Sequence, residues 1–457
     1  MSDLSHSQSN LAIAPVRLGV LPGVTLMACP TDRFKVGLLS MTMPLPIKRE
    51  DAPAATLLMS VLRRGTERYP TMEQINRRLD ELYATPCNIR NGSTGQAQCL
   101  GFSVELLGQR FLLDDTPLTK EVLSLMFQML CHPARDEDGL LCERYVEAER
   151  KNISDAVRSL VNRPSAYALS RFYDVFNAQY EHGHLLCGDL SQIAAVTKEQ
   201  LCRIHTRMLS QAPICFFYIG DTDPHALAAM LADVLLREMP ERFAAQNEPP
   251  SLSDFRLPRL TAQPLRRVDE EMPVGQSHLI LGYRTGITLG DPDFYAMMLC
   301  NEILGSSPVS RLFVHVREER SLCYSCSSDY VIDRGDVIIS CGIDRSRREE
   351  AENAILEQVQ AMQNGEFSDA ELEAARKLLL ATYAQLTDST KAIGGFYTTR
   401  QLLGVTQTIA DCRAAFADIT REQAIAAARR MTLDTVYFLC GTGAAQEEGE
   451  EDEYEEE

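Results

Sequence analysis

The chain reads as an α+β protein of two similar halves, each an antiparallel β-sheet with helices packed largely on one face. Three observations carry that prediction. The order strand, polar loop, apolar helix, small-residue turn and further strands occurs twice along the sequence. Capped amphipathic helices accompany each copy. A proline-rich stretch with little periodicity separates them. At 457 residues the chain is too long for one core and suits two domains of roughly 200 residues. The divisions expected are a tail over 1–19, a first domain over 20–239, a linker over 240–274, a second domain over 275–442 and an acidic tail over 443–457.

In the first half Phe34–Met43 alternates as a strand does, Lys48, Arg49, Glu50 and Asp51 form a polar loop, and Pro53–Arg63 is an apolar helix ending at Gly65-Thr66. Thr71 and Gln74 have capping-box spacing, and Ile75, Leu79, Leu82 and Tyr83 continue one apolar stripe. Strand-like residues follow over Thr94–Glu105, then two long helical patterns, Leu112–Leu130 and Ala148–Arg171. Pro249, Pro250, Pro258 and Pro264 interrupt the next stretch. Proline joins neither helical ladders nor central strands, so this reads as linker.

The second half repeats the order. His278–Arg284 alternates, Thr288–Asp293 is a loop, and a helix runs through Tyr295, Met298, Leu299, Glu302 and Ile303 to the small residues Gly305, Ser306 and Ser307. Strand-like runs follow at Leu322–Tyr330 and Asp336–Ile343. Ser368 and Glu371 cap a later helix carrying Leu372, Leu379 and Tyr383. Identity between the halves is weak; the order of elements is what matches.

Composition narrows the function classes. The chain is 45% hydrophobic and 24% charged, ordinary for a soluble globular protein. The first 25 residues lack a basic region followed by an apolar run, and no 18-residue apolar stretch suits a membrane span. A cytoplasmic protein is therefore expected. The fourteen cysteines are scattered, often inside apolar runs as at Cys215, Cys341 and Cys440, and read as reduced, buried small hydrophobes. Cys323 and Cys326 have redox spacing, but alternation sets them along a strand, so no redox or metal role is expected.

The net charge is −19, and nine of the acids lie between Glu447 and Glu457. So dense a run repels itself and reads as a disordered, solvated tail, with docking on a basic partner as the alternative. No basic stripe or aromatic-interleaved patch supports nucleic-acid binding.

Thr56, Met59 and Ser60 stand at i, i+3 and i+4 of the first apolar helix and so share one face. The pattern around them, Ala54–Glu81, resembles the opening of the M16 (pitrilysin/insulinase-type) metallopeptidases. In those enzymes H-x-x-E-H fills the three positions, two imidazoles holding zinc and the glutamate acting as base. Two further stretches carry the resemblance, Tyr180–Leu201 and Val316–Tyr324, so that it covers roughly residues 20–442 and implies a LuxS/M16 metallohydrolase-like fold. Within the family the chain is similar to inactive members encoded beside an active sibling in Gram-positive bacteria. One such group is associated with modification of translation elongation factor P.

The resemblance implies a site without chemistry. Hydroxyls at Thr56 and Ser60 are poor zinc ligands and the Met59 thioether suits softer metals. The family's third ligand, a glutamate on a later helix, corresponds to Ala156, with Glu147, Glu149 and Asp155 nearby. No catalytic residue, metal or cofactor is expected. His182 and His184 fall in a structural loop of the family pattern, and His132, His205, His225, His278 and His315 are isolated. The glycine-rich loop of the inactive mitochondrial processing-peptidase subunit is reduced here to Gly305-Ser306-Ser307-Pro308.

Arg317 and Tyr324 remain, seven residues apart as in the family's second domain, where such a pair holds the substrate backbone over the zinc of the other half. Either they contact peptide, a guanidinium fork and a rigid hydroxyl suiting carbonyl oxygens, or they are a surface charge and a packed strand residue. The leading expectation is a non-catalytic subunit that pairs with a separately encoded zinc peptidase and binds peptide or unfolded protein in a shared chamber. The alternatives are a self-sufficient homodimer that holds peptide without cleaving it, and a hydrolase using a non-family site.

Overall fold

The computed structural model describes residues 14–46, 48–181, 185–244 and 251–443. In chain order the main elements are β1 (Val16–Leu21), β2 (Val24–Pro30), β3 (Val36–Pro46), α1 (Ala52–Leu62), α2 (Met72–Glu81), β4 (Cys87–Thr94), β5 (Ala97–Leu107), α3 (Leu118–Cys131), α4 (Glu143–Arg158) and α5 (Pro164–Phe176). Next come α6 (Leu190–Ala195), α7 (Lys198–Gln211), β6 (Ile214–Gly220), α8 (Pro224–Glu238), α9 (Pro240–Ala244), β7 (Arg266–Met272), β8 (Ser277–Arg284) and α10 (Phe294–Asn301). The chain ends with β9 (Cys323–Val331), β10 (Asp336–Ile343), α11 (Arg348–Asn364), α12 (Asp369–Gln385), α13 (Thr390–Leu402), α14 (Ile409–Asp418), α15 (Arg421–Ala428) and β11 (Thr432–Gly441).

Two sheets result, ordered β1-β2-β6-β3-β5-β4 and β7-β11-β8-β10-β9. Apart from the extra β1 they share one topology, because β2 and β7, β6 and β11, β3 and β8, β5 and β10, and β4 and β9 occupy equivalent places. In both sheets the first two equivalents pair in parallel, β2 with β6 and β7 with β11, and the remaining ladders are antiparallel. The internal repeat is thus real at the level of connectivity, and the sheets are mixed rather than purely antiparallel.

The compact units are not contiguous in sequence. The first takes its described residues from Met1–Ser159, Asn177–Pro258 and Lys377–Asp418; the second from Leu160–Phe176, Arg259–Arg376 and Ile419–Glu457. They cut across the division into 20–239 and 275–442, because the first unit takes α13, α14 and part of α12 from the second repeat, and the second unit takes α5 from the first. The long helical pattern Ala148–Arg171 explains how. It breaks into α4 and α5 through a 3₁₀ turn at Ser159–Asn162, and Pro164, which lacks an amide hydrogen, starts a new helix.

In the first unit one sheet face and helices α1, α3, α7 and α8 enclose the main core, with Met41, Phe102, Phe216, Leu58, Met126 and Leu231 among its fully buried members. The other face receives α13. Phe217 stacks on Tyr397 with centroids 6.2 Å apart, and Gly394 comes so near Leu38 that a Cβ there would lie 2.6 Å from Leu38 Cδ2. Strand β6, covered on both faces, is accordingly apolar without alternation.

In the second unit Ala168, Phe172 and Phe176 of α5 pack on Ile280, Ile338, Tyr437 and Leu439. Gly282 of β8 makes room for them; a Cβ there would stand 2.6 Å from Phe172 and 2.7 Å from Phe176. Each buried aromatic contributes roughly 2–3 kcal/mol through burial alone.

The stretch expected as linker contains α9, a 3₁₀ turn at Leu252–Phe255 and the edge strand β7. Its inward positions include charges that escape an apolar count. Glu270 accepts from the hydroxyls of Tyr167 at 2.5 Å and Tyr437 at 2.9 Å, and Arg266 pairs with the fully buried Asp434 at 2.6 Å. Likewise the N-terminal tail expected over 1–19 yields at Val16 to β1. The acidic tail, from residue 444 onward, lies outside the described residues. Both capping boxes are formed, at Thr71–Gln74 and at Ser368–Glu371.

Candidate functional site

Helix α1 starts after the Lys48–Asp51 turn with Pro53 in its first turn and buries nine of its eleven residues. Thr56 is half-buried at the helix margin. Its hydroxyl donates to the Leu186 carbonyl at 3.0 Å and accepts from Asn91 Nδ2 at 3.0 Å and Gln98 Nε2 at 3.2 Å. Gln98, itself buried, also donates to Asn91 Oδ1 at 3.0 Å. Three side chains from α1, β4 and β5 therefore satisfy one another. Met59 is fully buried in the main core, and Ser60 is half-buried.

Helix α4, which packs against α1, carries Ala156 on its exposed side. Each carboxylate near it already has a cation: Glu147 with Arg150 at 3.1 Å, Glu149 with Arg64, and Asp155 with Arg158 at 2.9 Å. Zinc does not fit this position. The one engaged hydroxyl, one core thioether and one further hydroxyl supply no nitrogen or carboxylate ligand, and Glu147, Glu149 and Asp155 are each already paired with an arginine.

The histidines stay structural where described. Burial holds the His205 imidazole down to about 4, and its Nε2–H donates to the Leu130 carbonyl at 2.6 Å. His132 pairs with Glu238 at 3.0 Å and His315 with Glu319 at 2.8 Å. His182 and His184 lie outside the described residues.

In the second unit the helix expected through Ile303 gives way after Asn301 to two π-helical turns, Glu302–Ser306 and Leu312–Glu318. Asn301 Nδ2 donates to Ser306 Oγ at 2.6 Å across the first turn, and Gly305 lets β9 approach, since a Cβ there would lie 2.5 Å from Ser328 Oγ. Arg317 ends the second turn, half-exposed, its guanidinium 4.6 Å over the Phe313 ring and 3.4 Å from Glu318.

That turn packs against β9, the edge strand on which Tyr324 is 64% exposed. The β9–β10 register runs evenly to Ser325↔Gly342 and then jumps to Cys323↔Ile343, so Tyr324 is the extra residue of a β-bulge. The fold thus brings Arg317 and Tyr324 onto adjoining elements. Beside them the Cys323 thiol is held far below its ordinary value, at about 4, by hydrogen bonds from Cys326 and Cys341, with the Arg317 charge adding to them against partial burial. Sequence alternation hid this group. A bulge, which moves residues three apart onto one face, has no signature in composition.

Residues 195–379 match the family model described as Peptidase M16 inactive domain. The "Probable inactive metalloprotease YmfF" of Bacillus subtilis (strain 168) is 27% identical over 423 residues, 93% of this chain and 97% of that protein. Two crystal structures share the fold. A conserved protein from Enterococcus faecalis V583 superposes with a TM-score of 0.85 at 22% identity, over 93% of this chain and 98% of that one. A peptidase M16 inactive domain from Pseudomonas fluorescens superposes with a TM-score of 0.76 at 18% identity, over 94% and 99%.

Thr56, Met59, Ser60 and Ala156, the positions where the resemblance would set zinc ligands and base, offer hydroxyls, a thioether and a methyl group. In fold and sequence the chain is similar to inactive M16 peptidase-like proteins. Among the described residues no helix is long and apolar enough to cross a membrane.

Proposed function

We propose that this chain is the non-catalytic cytoplasmic partner of a separately encoded H-x-x-E-H zinc peptidase, and that it lends peptide contacts to a shared chamber through Arg317 and Tyr324. The observation that carries the reading is an asymmetry between the two site regions. At the α1 position the Thr56 hydroxyl is engaged in local hydrogen bonds and Met59 lies in the core, whereas Tyr324 stands 64% exposed on an edge strand. An edge strand presents unpaired backbone donors and acceptors, which an extended peptide can join by strand addition. A guanidinium and a phenol at that edge supply donors for its carbonyl oxygens. The test is to mix the purified chain with an H-x-x-E-H peptidase from the same genome and to measure complex mass and peptide cleavage with and without it.

A further inference from the structure

A three-sulfur cluster in the second unit lies next to Arg317 and Tyr324, and its cysteines take no part in the proposed peptide contacts. Cys326 of β9 lies directly opposite Cys341 of β10 in the ladder, and residues so paired share one face of a sheet. Cys323 is three residues from Cys326, a spacing that would put it on the opposite face of a regular strand. The extra residue Tyr324 reverses that. With the bulge inserted, Cys323 turns to the same side, and the three Sγ atoms all lie within 4.8 Å of one another. Among the described residues this is the one group of three or more histidine, cysteine or acidic side chains placed to share an ion.

We infer that Cys323, Cys326 and Cys341 form a binding site for one thiophilic d¹⁰ metal ion, Zn²⁺ or Cu⁺. Thiolates select such ions over the hard cations. At a metal–sulfur distance of about 2.3 Å, sulfurs around one ion stand about 3.8 Å apart. Sulfurs within 4.8 Å need to close by no more than about 1 Å to reach that separation.

Cys326 and Cys341 are buried, which shields two ligands, while Cys323 is half-exposed and gives the ion an entry path. The open side leaves a trigonal site for Cu⁺, or a fourth position for solvent on Zn²⁺. Three thiolates around either ion leave a net negative charge, and the Arg317 guanidinium beside Cys323 offsets it. The site is separate from the α1 position and stands whether or not a peptidase partner exists.

The test uses the full chain, reduced and stripped with a chelator, then titrated without oxygen with Zn²⁺ in one arm and Cu⁺ in another, and with Co²⁺ as an optical probe. Saturation at one equivalent of either ion is expected, with thiolate-to-cobalt charge transfer in the ultraviolet. Cys323→Ser, at the half-exposed and least structural position, should weaken binding by roughly 100-fold, one ligand's share of a structural zinc affinity. Cys326→Ser and Cys341→Ser should do the same where they fold, and Cys440→Ser, on a different strand, should leave binding unchanged. No saturable binding of either ion to the reduced protein, or binding indifferent to Cys323→Ser, overturns the assignment.

Discussion

Gln98 on β5 donates its side-chain amide to the Thr56 hydroxyl on α1 across 3.2 Å. Together with Asn91 and the Leu186 carbonyl it turns the first position of a would-be metal motif into a closed polar contact. The Thr56 hydroxyl is therefore committed to local structure.

The first prediction follows from that. The triple change Thr56→His, Met59→Glu and Ser60→His should yield no peptidase activity, with or without Ala156→Glu. Met59 is fully buried among apolar side chains, so a glutamate there costs about 4 kcal/mol or more, or is forced to take up a proton. Met59→Glu alone should lower the unfolding midpoint well below that of Thr56→His alone, measured in urea. A triple variant as stable as wild type would show that the position is more open than its packing indicates.

Acid should weaken the first unit through His205. Burial lowers this imidazole from 6.5 to about 4, so the folded state binds fewer protons than the unfolded chain in between. Its contribution is fully present above pH 6.5 and is lost as pH falls toward 4, about 3 kcal/mol in all. Asp336, pushed up to about 6 by burial, acts in the opposite sense but is present in both proteins compared. Urea unfolding of wild type and His205→Gln at a series of pH values should give a shallower slope for the variant over this window.

The shared topology of the two sheets was legible as a repeated order of strand, helix and strands, and the firm helices announced themselves through Thr71–Gln74 and Ser368–Glu371. The missed parts have physical reasons. Strand β7 points Arg266 and Glu270 inward, where ion pairs and tyrosine hydroxyls replace the apolar signal. The assignment of α5 to the second unit depends on Phe172 and Phe176 meeting Gly282, more than a hundred residues away. The sulfur cluster depends on one inserted residue, Tyr324. Long-range pairing and bulges decide these features, and neither leaves a local periodicity.

Packing of α5 gives the third prediction. Gly282→Val would drive its side chain into Phe172 and Phe176, where even a Cβ stands 2.6 and 2.7 Å away, and should destabilise the second unit by about 2–4 kcal/mol. Phe172→Leu in the same chain should recover part of the loss, a coupling that a double-mutant cycle measures directly.

The fourth concerns the surface pair. In a reconstituted complex Arg317→Ala and Tyr324→Phe should each lower cleavage by roughly 5- to 150-fold, the effect of leaving about 1–3 kcal/mol of peptide hydrogen bonding unmade in a dry site. Complex mass should not change. Unaltered cleavage in both variants would reduce the pair to surface and packing residues.

The proposed role requires an active partner. The most direct measurement is coexpression with the H-x-x-E-H sibling, followed by determination of complex mass and of cleavage by each chain alone and by the two together. A stable one-to-one complex that cleaves peptides far faster than the sibling alone, with no cleavage by this chain alone, is the predicted result. A chain that stays apart from the sibling, while the sibling cleaves equally well without it, would contradict the account.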